Sequence, residues 1–235
     1  GYNSLITNTT GDNNTAVGAL AGDALTIGNS NVAVGYNSLT TEVAGDRNVA
    51  VGHGSLALQT NASTVDVYNT AVGYNSGYAM TTGIQNTFVG GLAGDATDDG
   101  AYNTAVGHLA LSANCGDSNT AVGYDALLAA TGASNTAMGS DAGNAVTSGS
   151  NNMFLGFHAG ITGSPGGNIT TASNEICLGD ENITASNIQV DWTVASDQRD
   201  KTDFTALDLG LDFVKALAPV TYKWDKRSKY GDKTA

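Results

Sequence analysis

The chain has 235 residues, with 22 acidic and nine basic side chains and a formal net charge of −13. Residues 1–195 hold 15 acidic residues and a single basic one, Arg47, so their balance is 1 − 15 = −14, whereas residues 196–235 carry 8 − 7 = +1. Because a polyanionic segment repels phosphate, we expect no nucleic-acid partner. No apolar run is long enough for insertion into a membrane. We interpret the acidic residues as a solvated surface.

The first predicted elements are the copies of a pentapeptide, Asn-Thr-Ala-Val-Gly and its variants, which recurs ten times between Asn14 and Gly179. Its closing glycines are 16 or 17 residues apart, except for two longer intervals of 21 and 23 residues. A period near 17 is too short for helical-hairpin repeats and fits one coil of a β-solenoid. We therefore predict an all-β fold, a repeat-built β-solenoid or β-roll with about 17 residues per coil, over residues 1–191.

Each pentapeptide predicts one short strand whose three residues form three columns along the solenoid. The first column is Thr, Val, Met or Ile, the last is Val, Met or Leu, and the middle one is Ala, Phe or Cys. Side chains alternate across a strand, so neither face carries charge, and such strands are usually covered on both sides. A coil this short can bury one face by itself. We expect another copy of the chain to cover the other, in a homotrimeric β-helix.

The turns are predicted from glycine and asparagine. Eight glycines lie three residues before a repeat Asn, and we expect φ > 0 there; they are Gly11, Gly28, Gly45, Gly83, Gly100, Gly116, Gly132 and Gly149. The stacked Asn residues predict a hydrogen-bonded ladder along the solenoid. After each repeat glycine we predict a second short strand, as in residues 36–39 and 124–127.

Two coils are longer, and their extra residues predict surface loops at 59–66 and 161–173. His53 and His108 share a column with several tyrosines, which predicts an aromatic stack; a metal held by one His per chain on a threefold axis is the alternative. Cys115 and Cys177 are about four coils apart, roughly 19 Å, which is beyond disulfide reach. We expect no cofactor and no metal.

The repeat resembles known proteins. Asn-x-Ala-Val-Gly followed by small residues is similar to the head repeats of trimeric autotransporter adhesins and to the repeat shafts of phage tail fibres. The resemblance covers roughly residues 1–180 and implies a trimeric β-solenoid.

A different pattern begins near Trp192, and we predict a second, α+β segment over residues 192–235. A helix is predicted from the spacing of Leu207, Leu211, Val214 and Leu217. Pro219 ends that helix, and residues 220–224 predict a strand.

This segment opens with Ser196-Asp197-Gln198-Arg199-Asp200-Lys201, which resembles the start of the self-cleaving intramolecular chaperone domain of phage tailspikes and tail fibres. The resemblance implies that Ser196 is the nucleophile and Lys201 the base in a single cleavage at Ala195–Ser196, with Asp197 and Arg199 organising the segment. A serine hydroxyl needs such a base, and lysine can act as one only when neutral. The resemblance covers residues 196–235 and implies the first part of a longer domain.

These features predict a phage tail fibre or tailspike protein, located on the virion, whose chaperone directs trimerisation and is then released. Its expected partners are its own copies, a host surface glycan or outer-membrane receptor, and other tail proteins. The alternative is a trimeric adhesin or filament on a bacterial surface. A glycan-degrading tailspike is a third interpretation, against which the absence of a distinct acidic pair argues. Beyond self-cleavage we expect no enzyme activity.

Overall fold

The computed structural model describes residues 1–187, and within that range it is all-β, as predicted, with no helix. Ten of its twelve strands form one parallel sheet, in which each strand pairs with the corresponding strand of the next coil. The strands are Thr15–Val17 (β1), Val32–Val34 (β2), Gly45–Asp46 (β3), Val49–Val51 (β4), Val65–Asp66 (β5), Thr70–Val72 (β6), Thr87–Val89 (β7), Thr104–Val106 (β8), Thr120–Val122 (β9), Thr136–Met138 (β10), Met153–Leu155 (β11) and Ile176–Leu178 (β12). The fold is therefore a β-solenoid.

The two longer coils leave the register of this sheet unchanged. Val49 pairs with Thr70 across the first insertion, and Met153 pairs with Ile176 across the second. The first insertion ends in β5, which pairs with β3 of the preceding coil in a small second sheet. The extra residues therefore lie outside the ten-stranded sheet.

The middle residue of each strand supplies the core. This column is buried from Ala33 to Cys177, and in the ten-stranded sheet it is alanine except in β7, β11 and β12, which carry Phe88, Phe154 and Cys177. Stacked coils leave little room inside, so the large rings need space from their neighbours. A Cβ on Gly94 would lie 2.7 Å from the Phe88 ring, and one on Gly77 would lie 3.0 Å from it. Glycine on both sides therefore makes room for phenylalanine.

The segment after each repeat glycine is a turn, so the prediction of a second strand at 36–39 and 124–127 was wrong. Asn37 and Leu39 have φ values of 55° and 51°, in the left-handed region, which bends the backbone. Hydrogen bonds still link the coils here, because Asn37 N–H donates to the Ala19 carbonyl and Leu39 N–H to the Ser55 carbonyl. The segment has a composition like that of a strand because it stacks on the neighbouring coils in this way.

The glycines that precede the repeat Asn do not have φ > 0, contrary to our expectation. At Gly28 the requirement is closeness, because a Cβ would lie 2.6 Å from the Gly45 carbonyl oxygen. Positive φ occurs instead at the repeat glycines, such as Gly18 at +132°, where a Cβ would also lie 2.5 Å from the Gly35 oxygen. Coil-to-coil contact selects glycine at both places.

The asparagine ladder is present. Asn119 donates its backbone N–H to the Asn103 side-chain oxygen at 2.8 Å and its side-chain amide to the Gly132 carbonyl at 3.0 Å. Equivalent bonds repeat through the buried asparagines from Asn31 to Asn152. Because each asparagine bonds the coils on both sides of it, the column joins successive turns.

The chain divides into two compact units, Gly1–Ser186 and Asn187–Ala235. The domain boundary predicted at residue 192 lies outside the described residues. So do the helix and the strand predicted for residues 207–224.

Candidate self-association face

The outward side of the ten-stranded sheet is uncharged along its whole length. Its side chains are the first and last residues of each strand, which are Thr, Val, Met, Ile or Leu in every case. Many of them are exposed, from Val17 at the N-terminal end to Ile176 and Leu178 at the C-terminal end. We call these twenty residues the outer face. An uncharged surface of this length is unusual in residues 1–195, whose charge is −14. The charged residues lie instead in turns and in the small β3–β5 sheet.

The two margins of the outer face differ. The margin after the strands carries aromatic side chains at several levels, where His53 lies between Tyr36 and Tyr74 with ring centroids 5.3 Å apart on both sides. Farther along, His108 stacks on Tyr124 at 5.7 Å. These histidines therefore pack as the predicted aromatic stack. Within residues 1–187, no three His, Cys, Asp or Glu side chains are grouped to hold a metal ion.

The other margin of the outer face consists of the residues just before the strands. At the C-terminal end of the sheet it contains a cavity of about 240 Å³. Strand residues Thr136, Met153 and Ile176 contribute apolar and hydroxyl groups to its wall, and Ser134 and Asn151 contribute polar ones; Asn152, Asn174 and Glu175 complete the lining. Asn151 donates to the Asn174 side-chain oxygen at 2.8 Å. The cavity therefore combines apolar surface with a polar rim.

A buried carboxylate lies inside the coils, which corrects our interpretation of the acidic residues as a solvated surface. Glu42 is fully buried and accepts hydrogen bonds from the backbone N–H groups of Val43, Ala44, Gly45 and Asn61 at 2.7–3.1 Å. Its other oxygen accepts from the side-chain amides of Gln59 and Asn61, both at 2.9 Å. Six donors thus solvate the carboxylate in place of water, as a buried anion requires.

Sequence reasoning missed this cluster, although a signal for it exists. Seven residues after successive repeat glycines comes a buried column with Leu25, Met80 and Val146, and Glu42 and Gln59 occupy two rungs of it. The same column also holds the polar Thr97 and Asn114, but Glu42 and Gln59 are adjacent rungs with long side chains, which indicates a buried polar pair. Asn61, the third member, belongs to the longer coil that only the structure positions.

Asp66 of the first long coil pairs with the one basic residue of the described part of the chain, Arg47, which belongs to the preceding coil. Arg47 forms an ion pair with Asp66 and lies over the Tyr68 ring at 5.5 Å from its centroid. The Arg47 and Asp66 side chains are 46% and 52% exposed, so solvent screens their attraction. In the second long coil, Ser164 Oγ accepts from Gly160 N–H at 3.0 Å and donates to the Ile161 carbonyl at 2.7 Å, which closes the loop on itself.

Both cysteines are free, as their separation predicted, and the structure shows that both are buried. Burial raises the pKa of the Cys115 thiol above its ordinary value, so the neutral thiol is favoured. At the aromatic margin the neighbouring Asp125 carboxylate raises the pKa of Tyr124, which keeps that phenol protonated.

The predicted cleavage residues lie outside the described range. Nothing in the structure tests the roles given to Ser196, Asp197, Arg199 and Lys201. In residues 1–187 there is also no helix of the length and apolarity that a membrane span requires.

Comparison with known proteins finds one similarity, in the C-terminal segment. Residues 196–235 match the model of the Peptidase S74 family, described as the chaperone of endosialidase. No curated protein and no solved structure matches the chain. A β-solenoid followed by a segment that matches this family is consistent with a phage tail fibre or tailspike that carries a C-terminal chaperone.

Proposed function

We propose that the chain is the shaft of a virion-associated phage tail fibre or tailspike, that it assembles as a homotrimer, and that it serves attachment to the host. The observation that carries the proposal is the family match over residues 196–235, directly following a β-solenoid. The expected receptor is a host surface glycan or an outer-membrane component. Other tail proteins are the expected partners on the virion.

The outer face supports the homotrimer. It presents an uncharged stripe whose rungs recur at the spacing of paired strands, about 4.8 Å. A partner that covers every rung needs the same spacing, and a second copy of the chain has it by construction. Because the turns around the stripe hold the negative charges, copies that meet through the stripe keep those charges in solvent.

A C-terminal chaperone answers a difficulty of the repeat. Successive coils look alike, so copies can associate one or more coils out of register. Association of the C-terminal segments before the solenoids meet would set the register and start assembly from one end. Removal of that segment afterwards would leave the fibre kinetically trapped.

Cleavage then follows from the two residues assigned above. The Lys201 amine takes the proton of the Ser196 hydroxyl, whose oxygen attacks the Ala195 carbonyl carbon. The carbon–nitrogen bond between Ala195 and Ser196 breaks as the nitrogen takes up a proton, leaving an ester on the Ser196 oxygen. Water hydrolyses that ester and releases the segment from residue 196 onward.

The denatured intact masses of the full chain and of its Ser196→Ala and Lys201→Ala variants test the cleavage. We expect the parent to separate into pieces ending at Ala195 and beginning at Ser196, and both variants to remain uncut. Ser228→Ala and Lys233→Ala are matched controls in the same segment and should be cut like the parent. Equal processing of Ser196→Ala and the parent would contradict the assignment.

The mass of the native protein in solution tests the assembly separately. We expect three copies, with the β-solenoid intact by circular dichroism. A folded monomer would contradict the trimer whatever the cleavage result. An uncut trimer would favour the alternative, a bacterial surface adhesin that keeps its C-terminal segment.

A further inference from the structure

An aromatic side chain is more than half exposed beside the C-terminal end of the outer face. Phe157 directly follows the glycine after β11 and is 54% exposed. Its ring touches His158 on one side, at 3.6 Å between centroids. An exposed phenylalanine on the margin of an uncharged stripe indicates a surface that another molecule covers.

The opposite margin has a cavity at the same level. Asn151 and Met153, which stand at the start of β11, are at its centre, with Ser134 and Thr136 from the coil below and Ile176 from the coil above. Its volume of about 240 Å³ exceeds the roughly 150 Å³ that suffices to bind benzene in a protein interior. The volume is therefore sufficient for a phenyl ring.

The Phe157 ring and the cavity lie at the same level, meaning the same height along the solenoid. Phe157 and the centre of the cavity belong to the same coil, on opposite sides of the same strand. Rotation about an axis parallel to the solenoid leaves every coil at its own height. In a cyclic assembly each copy meets the next through two different patches, so Phe157 of one copy comes level with the cavity of its neighbour.

We propose that neighbouring copies interlock at this level, with Phe157 of one copy seated in the cavity beside Asn151 and Met153 of the next. The inference rests on the proposed homotrimer and names the contact that closes it. The apolar walls, Met153 and Ile176, receive the ring, while the hydroxyl and amide groups and the exposed Glu175 carboxylate remain in contact with water.

Two other levels repeat the pairing of small with large margin residues. Ser30 precedes β2 and Tyr36 follows it, and Ser118 precedes β9 and Tyr124 follows it. At β6 both margin residues are tyrosines, Tyr68 and Tyr74, so the interlock is not repeated at every coil. The C-terminal level combines an exposed aromatic ring with a cavity large enough to hold it.

Cysteine pairs joined by a short bismaleimide test the contact in the full chain. The Ser134→Cys/Phe157→Cys variant carries one thiol at the cavity and one at the ring position, so linked copies should form covalent dimers and trimers on a denaturing gel. Each single variant should stay monomeric. Ser30→Cys/Phe157→Cys is the matched control, with a thiol on the same margin but at a distant level. Cys115 and Cys177 are buried, and the parent chain controls for them.

A second measurement covers the case in which the double variant does not assemble. Phe157→Ala should raise the concentration at which the trimer dissociates by about tenfold or more, because a buried aromatic anchor is lost. Tyr78→Ala removes a similarly exposed aromatic from a turn and should change that concentration by less than about twofold.

The outcomes separate the two proposals. A native trimer that neither cross-links through this pair nor responds to Phe157→Ala would overturn the interlock and leave the trimer standing. A native monomer would overturn both. Cross-linking of Ser30→Cys/Phe157→Cys at the same yield would mean that copies associate without a set register, which also contradicts the interlock.

Discussion

The inner and outer faces of the same strands differ in whether the chain itself covers them. On the inner face, Phe88 at the middle of β7 is fully buried, and Gly77 and Gly94 leave room for its ring. On the outer face, Thr87 and Val89 of that strand are exposed. The inner face is completed by one chain, since each coil covers the next. The outer face has no such cover within the described residues, which is why the proposed assembly depends on it.

Packing on the inner face follows a rule of compensating sizes. Ala121 is flanked by the buried Leu111 and Leu127, whereas Phe88 is flanked by Gly77 and Gly94. A small strand residue thus accompanies large turn residues, and a large one accompanies glycines. Close packing requires this, because cores hold few voids and tolerate little overlap.

The largest effect is expected on the inner face. Phe88→Ala removes a fully buried ring between two glycines that cannot fill the space. We expect the free energy of unfolding to fall by about 3–5 kcal/mol. Chemical denaturation followed by circular dichroism measures it, and a loss under about 1 kcal/mol would mean that the coils collapse onto the cavity.

An intermediate effect is expected on the outer face. Val89→Asp puts a charge in the middle of the uncharged stripe, where association would bury it without a partner. We expect the native mass to fall to that of a monomer while the circular dichroism of the solenoid is kept. Ser148→Asp adds the same charge at an exposed turn and should leave the mass unchanged. Assembly of both variants alike would show that copies do not meet through this face.

The smallest effect is expected at the exposed ion pair between the first long coil and the coil before it. Arg47→Met breaks the ion pair with Asp66 but keeps a long side chain beside Tyr68. Because both charged groups are about half exposed, we expect the free energy of unfolding to change by less than about 1 kcal/mol. Denaturation at low and high salt checks this, and a larger, salt-dependent loss would assign a structural role to the pair.

The sequence alone determined the coil, the strand in each coil and the asparagine ladder, because the strand pattern recurs ten times and its asparagine nine times, and chance does not produce aligned columns. It also indicated the family of residues 196–235, through a motif whose chemistry remains a proposal. These are local features, and a residue's immediate neighbours suffice to specify them.

The tertiary structure decided which strand face turns inward and that residues 36–39 form a turn. It also decided that Glu42 is buried, since its donors Gln59 and Asn61 come from the next coil. A column pattern reports which residues stack, but whether they face core or solvent depends on how the chain closes around them. That closure is set by backbone angles and by contacts between coils. The alternation of side chains along a strand does not by itself show which of the two faces lies inside.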